Sequence, residues 1–320
     1  MVMPGRQFVN CYDSRMSQIP AWAISNPLAS TVQAAMASSD RGALPNIRAL
    51  YPGRVDPSVP AVRYQWALAS AASPTLSLDP SCHFESQQIL CWRTGWQAPS
   101  AEQTEMALWI RGGSASDSHS HRDQGQVSVY NGDRILIMEC GTPDYGSDDY
   151  ESSYARASGH STFQIGALEP RSRAVDIPIT VAKLDRSSGD VSMNLQPAFP
   201  GAVQCSRQVR WFDAGLVRFS DRIVLPKPIV PGTPLIRFHT GSVSPLSCVP
   251  IDGGTKVSWK DASLVIRSGG ATVVTEKEWP DAVRPPFVHR VIEIRAGVAA
   301  SNFEVESELQ FARSNVWRDQ

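Results

Sequence analysis

The chain has 320 residues, 42% of them hydrophobic and 19% charged, and a formal net charge of −1. That length holds one large domain, or one plus part of another, with a substantial buried core. The near-zero charge excludes a general electrostatic attraction to nucleic acid or an anionic membrane, and no apolar run reaches the roughly 18 residues needed to span a bilayer. An anionic polymer would therefore have to be held by a local cluster of Arg and His.

Taken in chain order, the first nine residues lack the basic-then-apolar pattern of a secretory signal. Residues 14–38 and 60–72 are Ala-rich with apolar residues at helical spacing, and Pro20 and Pro27 divide the first of these into two short helices. Residues 46–59, with Pro52 and Pro57, are loop-like. From about residue 84 the period switches to two. Strands are expected over 83–93, 105–111, 126–130 and 134–138, the last two joined by the turn Asn131-Gly132-Asp133. Further candidates are 175–184, 203–212, 216–225, 235–239, 255–259, 264–267, 271–275, 288–295 and 303–311, with turn signals such as Gly253-Gly254 and Gly269-Gly270 between them. A dozen or so short strands in this pattern predict a large antiparallel β-sandwich. The expected organisation is a helical segment over 1–83 and the sandwich over 84–320. Six cysteines are scattered along the chain. Cys82 and Cys91 could bridge a short loop, but cysteine is also a common buried small hydrophobe, and a disulfide framework is not the expectation for a chain with so large a core.

Chemistry concentrates in one window. Residues 113–125 are Gly/Ser-rich and carry His119 and His121, whose i and i+2 spacing projects both to one side of an extended chain. Strand 134–138 runs into Glu139, and His160 follows in Ser158-Gly-His-Ser-Thr162, so three of the six histidines lie here. Two imidazoles and a carboxylate suit Zn²⁺ and leave a tetrahedral ion one open position. Glu139 closes an apolar strand, and a buried carboxylate there needs a partner. Asp123 is a competing carboxylate, nearer in sequence, that could instead cap a turn. Arg156, Arg122 and Arg111 could supply positive charge for a carboxylated substrate. Tyr145, Tyr150 and Tyr154 form an aromatic-polar cluster that suits sugar binding or loop anchoring. His83, His239 and His289 read as ordinary hydrogen-bonded or surface histidines.

The series His119-Ser-His121-Arg-Asp123-Gln-Gly125, Met138-Glu139-Cys-Gly141 with Tyr145, and Tyr154-Ala-Arg156 before Gly159-His160 resembles the heparinase II/III-like polysaccharide lyases. Residues 207–221 and 236–239 resemble that family's sandwich strands more loosely, so the resemblance covers roughly residues 100–310. It implies an α/α toroid followed by an antiparallel β-sandwich, with residues 1–83 as a short α-helical remnant of the toroid's end. It also implies zinc at His121, Glu139 and His160, a catalytic His119, and substrate contacts from Arg156, Arg122, Tyr154 and Tyr145. Glu139 stands where the family usually has Asp, and Ser161 where Asn usually follows the histidine.

The implied chemistry is β-elimination on a uronic-acid-containing polysaccharide, with zinc organising the site rather than activating water. The family's catalytic tyrosine lies in the toroid, so the expectation is a truncated form that binds acidic oligosaccharides weakly and cleaves them slowly or not at all. The resemblance implies a periplasmic or secreted location, an acidic polysaccharide or oligosaccharide as partner, no nucleic acid, and compatibility with an oligomer. Two other readings remain open. Gly113 followed after five residues by His-x-His is the first-motif spacing of a cupin-like metal oxygenase or isomerase, though Gln126 stands near where that family has Glu and its second motif is missing. A non-catalytic carbohydrate-binding sandwich is the third.

Overall fold

The computed structural model describes residues 2–3, 7–8, 81–95, 104–117, 120–132, 134–141, 143, 146–166, 169–170, 175–270, 272–280 and 288–313. The helices expected over 14–38 and 60–72 and the loop over 46–59 lie outside the described residues, as do His119 and Tyr145. In chain order the strands are β1 (Val2–Met3), β2 (Gln7–Phe8), β3 (Ser81–Phe84), β4 (Ile89–Arg93), β5 (Met106–Arg111), β6 (Val127–Asn131), β7 (Arg134–Met138), β8 (Phe163–Ile165), β9 (Ile179–Leu184) and β10 (Ser188–Asn194). They continue as β11 (Gln204–Phe212), β12 (Leu216–Ile229), β13 (Pro234–Thr240), β14 (Ser247–Ile251), β15 (Gly254–Trp259), β16 (Ala262–Ser268), β17 (Thr272–Pro280), β18 (Val288–Ala296) and β19 (Ala300–Gln310).

Apart from the small β1–β2 pair, these strands make two antiparallel sheets. One is ordered β14-β15-β16-β19-β12-β11-β10-β9, and the other β17-β18-β13-β7-β6-β5-β4-β3, with β8 also paired to β13. A single apolar cluster drawn from both sheets fills the space between them, with Trp92, Ile110, Val129 and Phe238 from one side and Val209, Trp211, Phe219 and Leu309 from the other. Sheet-on-sheet burial of this kind is the packing of a β-sandwich. The mainly β, antiparallel sandwich expected from the period-two pattern is therefore the fold of the described residues.

The two sheets differ in how they meet their surroundings. β11 alternates, burying Cys205, Arg207, Val209 and Trp211 while the residues between them lie at or near the surface. β5, β6 and β13 are buried along their whole length. The second face of β4, β5 and β6 carries its own small cluster of Ile89, Ala107, Trp109 and Tyr130.

Several expected boundaries shift for identifiable reasons. The single strand expected over 83–93 is a hairpin, because the polar run Glu85–Gln88 turns, Gln87 N–H donates to Phe84 O, and Gln88 takes a left-handed φ of 52°. This hairpin also starts three residues before the expected boundary at 84. β12 runs on through Pro226 and Pro228, where its register with β19 shifts between Val224 and Ile229, since proline has no N–H to give a ladder. β10, with Gly189 and polar residues at every second position, gave no strand signal. Gly189 is there because Trp211 lies across it, 2.0 Å from where a Cβ would sit.

One polar group crosses the apolar interior. Arg207 on β11 is fully buried and pairs bidentately with Asp221 on β12, Nε to Oδ1 at 2.8 Å and Nη2 to Oδ2 at 2.9 Å. Its Nη1 donates to Gly125 O and Ser161 O, both at 2.8 Å, on the other sheet's side. Phe163 and Phe238 lie against the guanidinium, 4.6 and 5.4 Å from ring centroid to Cζ. Removing one member of such a pair strands a buried charge. Asp221→Ala should therefore lower stability by about 3–5 kcal/mol in urea unfolding, whereas replacing Arg207 and Asp221 together by Met and Leu should cost far less. Equal losses from the single and double changes would refute this assignment.

Candidate metal centre

The site is built on the end of the nine-stranded sheet where β5 leaves, β6 enters and β7 ends. After β5 the chain crosses Gly112 and Gly113, the latter bridged to Ile177, and loops through 114–126 before starting β6. Gly125 closes the loop with φ 84°, in the left-handed region where a side chain is strained. β7 delivers Glu139 one residue beyond its end. A helical turn, Tyr150–Tyr154, then leads through the short turn Ala157–Gly159 to His160. That second turn packs tightly. A Cβ on Gly159 would lie 2.6 Å from Cys140 Sγ and 2.7 Å from Tyr154 O, so only glycine fits beside His160.

Asp123, Glu139 and His160 are all fully buried, and one ligand atom from each lies within 4.8 Å of the others. His160 Nδ1 is 3.5 Å from Glu139 Oε2. The His121 ring lies beside them, its centroid 5.3 Å from that of His160, and its Nε2 faces the Tyr150 hydroxyl at 3.3 Å. Of the expected trio, Glu139 and His160 are thus brought together with His121 alongside, and Asp123 joins them as a fourth candidate. Asp123 Oδ1 accepts from Arg111 Nε at 2.8 Å, which balances its charge. Its Oδ2 and both His160 ring nitrogens are buried and make no hydrogen bond among the described residues. Burial drives the His160 pKa down from 6.5 to about 3, with Asp123 opposing and His121 adding to the fall. A neutral imidazole beside carboxylate oxygens, both shielded from water, is a donor set that fits a borderline cation such as Zn²⁺.

Other expected site residues fall into two groups. Arg156 and Arg122 are partly exposed and converge on Glu169 Oε2, at 2.9 and 3.5 Å. Arg111 is fully buried and committed to Asp123 and Asp117, so it is no substrate-facing cation. Tyr154 is turned inward. Its hydroxyl donates to Pro280 O at 2.8 Å and its ring packs edge-on to Trp279, which favours loop anchoring over sugar contact. Gln126, near the position a cupin would need for Glu, accepts from Ser161 N and donates to Val127 O. It is part of the scaffold.

Sequence reasoning passed over the buttress behind His160. On β13, Arg237 donates through Nη1 to Ala157 O at 2.9 Å and pairs with Glu293. Two residues on, His239 Nε2 lies 2.8 Å from Ser158 O, and a carbonyl only accepts, so that nitrogen carries the proton. His239 Nδ1 must then accept from His289 Nε2, 2.8 Å away. The His239 backbone N–H also donates to Ser161 Oγ, which in turn donates to Met138 O next to Glu139. The i, i+2 spacing of Arg237 and His239 on one strand was the available signal.

Residues 92–192 match the family model described as heparinase II/III-like, C-terminal. Over these residues the sandwich is heparinase II/III-like. Solved structures agree on the heparinase II/III-like fold. A heparinase III with methylated lysines superposes with a TM-score of 0.66 at 10% identity, over 98% of this chain and 44% of that one. Heparan sulfate lyase HepC from Pedobacter heparinus gives 0.63 at 12% identity, over 98% of this chain and 45% of that one. A further heparinase III gives 0.56 at 14% identity, over 76% and 38%. The chain thus spans less than half the length of these structures. No curated protein matches the sequence.

Two outcomes are expected of this centre. His239→Ala should weaken zinc binding by about 10–100-fold by releasing the turn that aims His160, read by competition with a metal chelator; unchanged affinity would refute the buttress. In the metal-stripped protein the folded pKa of His160 lies below its unfolded value of 6.5. The unfolded chain therefore takes up the proton first, and stability should be intact above about pH 6.5 and fall progressively as pH drops toward 3. His239, whose pKa burial also holds well below 6.5, acts in the same direction. Urea midpoints that stay flat between pH 7 and 5 would contradict this.

Proposed function

We propose that the protein is polysaccharide lyase-like and performs β-elimination on a uronic-acid-containing polysaccharide, with zinc held by His121, Glu139 and His160. The observation that carries the reading is the buried Asp123, Glu139 and His160 cluster in a heparinase II/III-like sandwich. Asp123, already paired with Arg111, is proposed as the carboxylate behind the metal ligands rather than one of them. The metal supplies a fixed loop geometry, since elimination consumes no water.

Elimination needs a base for the proton α to the carboxylate and a positive or hydrogen-bonding environment for the charge that spreads onto it. His119 is the proposed base or charge stabiliser, its near-neutral intrinsic pKa suiting either role. Arg122 and Arg156, half-exposed and held by Glu169, are proposed to face the uronate, and Tyr145 is proposed as a further substrate contact. Among the described residues no helix is long and apolar enough to cross a membrane. A periplasmic or secreted site of action, where acidic polysaccharide is met, is part of the same proposal.

The direct test follows the absorbance of the C4–C5 unsaturated uronate during incubation with heparan sulfate or alginate. Slow growth is expected, and His119→Ala should reduce it by about 10²–10⁴-fold. Binding without any growth would assign the sandwich to carbohydrate binding, and neither binding nor growth would overturn the reading. Elemental analysis should find about one zinc per chain, as one three-ligand site holds, lost in His121→Ala and retained in Asp123→Asn. The reverse pattern would move the third ligand to Asp123.

A further inference from the structure

The β3–β4 hairpin forms the outer end of the nine-stranded sheet, and β3 is its edge strand. Their register places Cys82 directly opposite Cys91. Residues opposed across an antiparallel pair point to the same face, with Cα atoms about 4.5 or 5.5 Å apart depending on the hydrogen-bonding position. Both spacings fall within the roughly 4.4–6.8 Å that a disulfide spans. Cys82 is exposed and Cys91 half-buried against the Ile89, Trp109 and Tyr130 cluster, so an oxidant can reach the pair from the Cys82 side.

We propose that Cys82 and Cys91 form a cross-strand disulfide that staples the edge hairpin. The hairpin gives the bond something to do. β3 is only four residues long and among the described residues pairs with one neighbour, the situation in which an edge strand frays. Its turn also holds Gln88 in a left-handed conformation that favours glycine. The hairpin has further ties to the sandwich. Gln88 O accepts from Gly112 N at 2.8 Å and Gln88 Oε1 accepts from Ile179 N at 2.7 Å, so fraying at β3 would loosen the approach to the 114–126 loop.

The chemistry is thiol–disulfide exchange with a small oxidised disulfide such as glutathione disulfide. The thiolate of Cys82 attacks one sulfur of the oxidant, forming a mixed disulfide and releasing one thiol. Cys91 then attacks the mixed disulfide at Cys82, forming the Cys82–Cys91 bond and releasing the second thiol. The two cysteines lose two protons and two electrons, and the oxidant gains both. The other cysteines among the described residues fit this role less well. Cys140 and Cys205 are buried, and Cys248 lies on β14 in the other sheet.

The test treats the 320-residue chain with oxidised glutathione, blocks remaining thiols by alkylation, and maps peptides with and without reduction. The expected result is one cross-linked peptide pair joining Cys82 to Cys91, lighter by two hydrogens than the sum of its parts. Cys82→Ser and Cys91→Ser should each remove it, lower the melting temperature of the oxidised protein by the same several degrees, and leave the reduced protein's melting temperature near wild type. Cys248→Ser should change neither. Both cysteines alkylated, each carrying a separate glutathione, or either joined to another cysteine would overturn the proposal. The experiment reads no metal and no activity, so it stands or falls apart from the proposed function.

Discussion

The Arg207 guanidinium is the fastening on which the architecture depends. Its hydrogen-bonding partners are buried, and they belong to three different pieces: Asp221 on the neighbouring strand, Gly125 at the close of the 114–126 loop, and Ser161 just past His160. An arginine between two apolar sheets costs desolvation, and a full set of acceptors with aromatic rings against the guanidinium offsets it. The same bonds that satisfy the charge fix the two backbone segments carrying Asp123 and His160 relative to the opposite sheet. Packing and site geometry are therefore not separable here.

Around that fastening, buried charges come in matched sets. Arg111 answers Asp123, Arg237 answers Glu293, and Arg93 answers Glu105, each largely shielded from water. Each arginine sits on a strand and holds a loop or a neighbouring strand. The cluster of Asp123, Glu139 and His160 stands apart from this pattern. Its Asp123 is half answered by Arg111, while the ring nitrogens of His160 are answered by no hydrogen bond among the described residues. Buried polar atoms without a hydrogen bond occur elsewhere, at Trp109 and Trp211 Nε1 among the described residues, but here a carboxylate oxygen and an imidazole lie side by side, the donor types that suit a cation.

Much of this was legible in the chain. Period-two alternation marked β11, β12, β18 and β19 because each has one apolar and one polar face, and the concentration of histidines marked the 119–160 window. β10 and β14 escaped because Gly189 and Pro250, residue types depleted in strands, interrupt Ser188-Gly-Asp-Val-Ser-Met-Asn194 and Ser247-Cys-Val-Pro-Ile251, although both strands pair with close sequence neighbours. The role of Arg207 was invisible for the opposite reason. In sequence it looks like one more polar residue on an alternating strand, yet its position in the alternation, with Cys205 and Val209, puts it on the core face. Asp123 could be named but not placed, since only the fold shows it beside His160. Tyr154 and Arg111 show the limit of residue type as a guide, because both have chemistry suited to substrate and both are spent on the scaffold.

The span between the site and its supports also bears on how the protein is made. Ser158 waits for His239, 81 residues downstream, and Ser161 waits for Arg207, 46 residues downstream. During synthesis the segments carrying Asp123, Glu139 and His160 emerge well before the strands that hold them, and at roughly 5–20 residues per second that gap lasts several seconds. Throughout it, these side chains are tethered to an incomplete sheet and their juxtaposition is not yet fixed. The buried cluster therefore assembles late, as a consequence of sandwich closure.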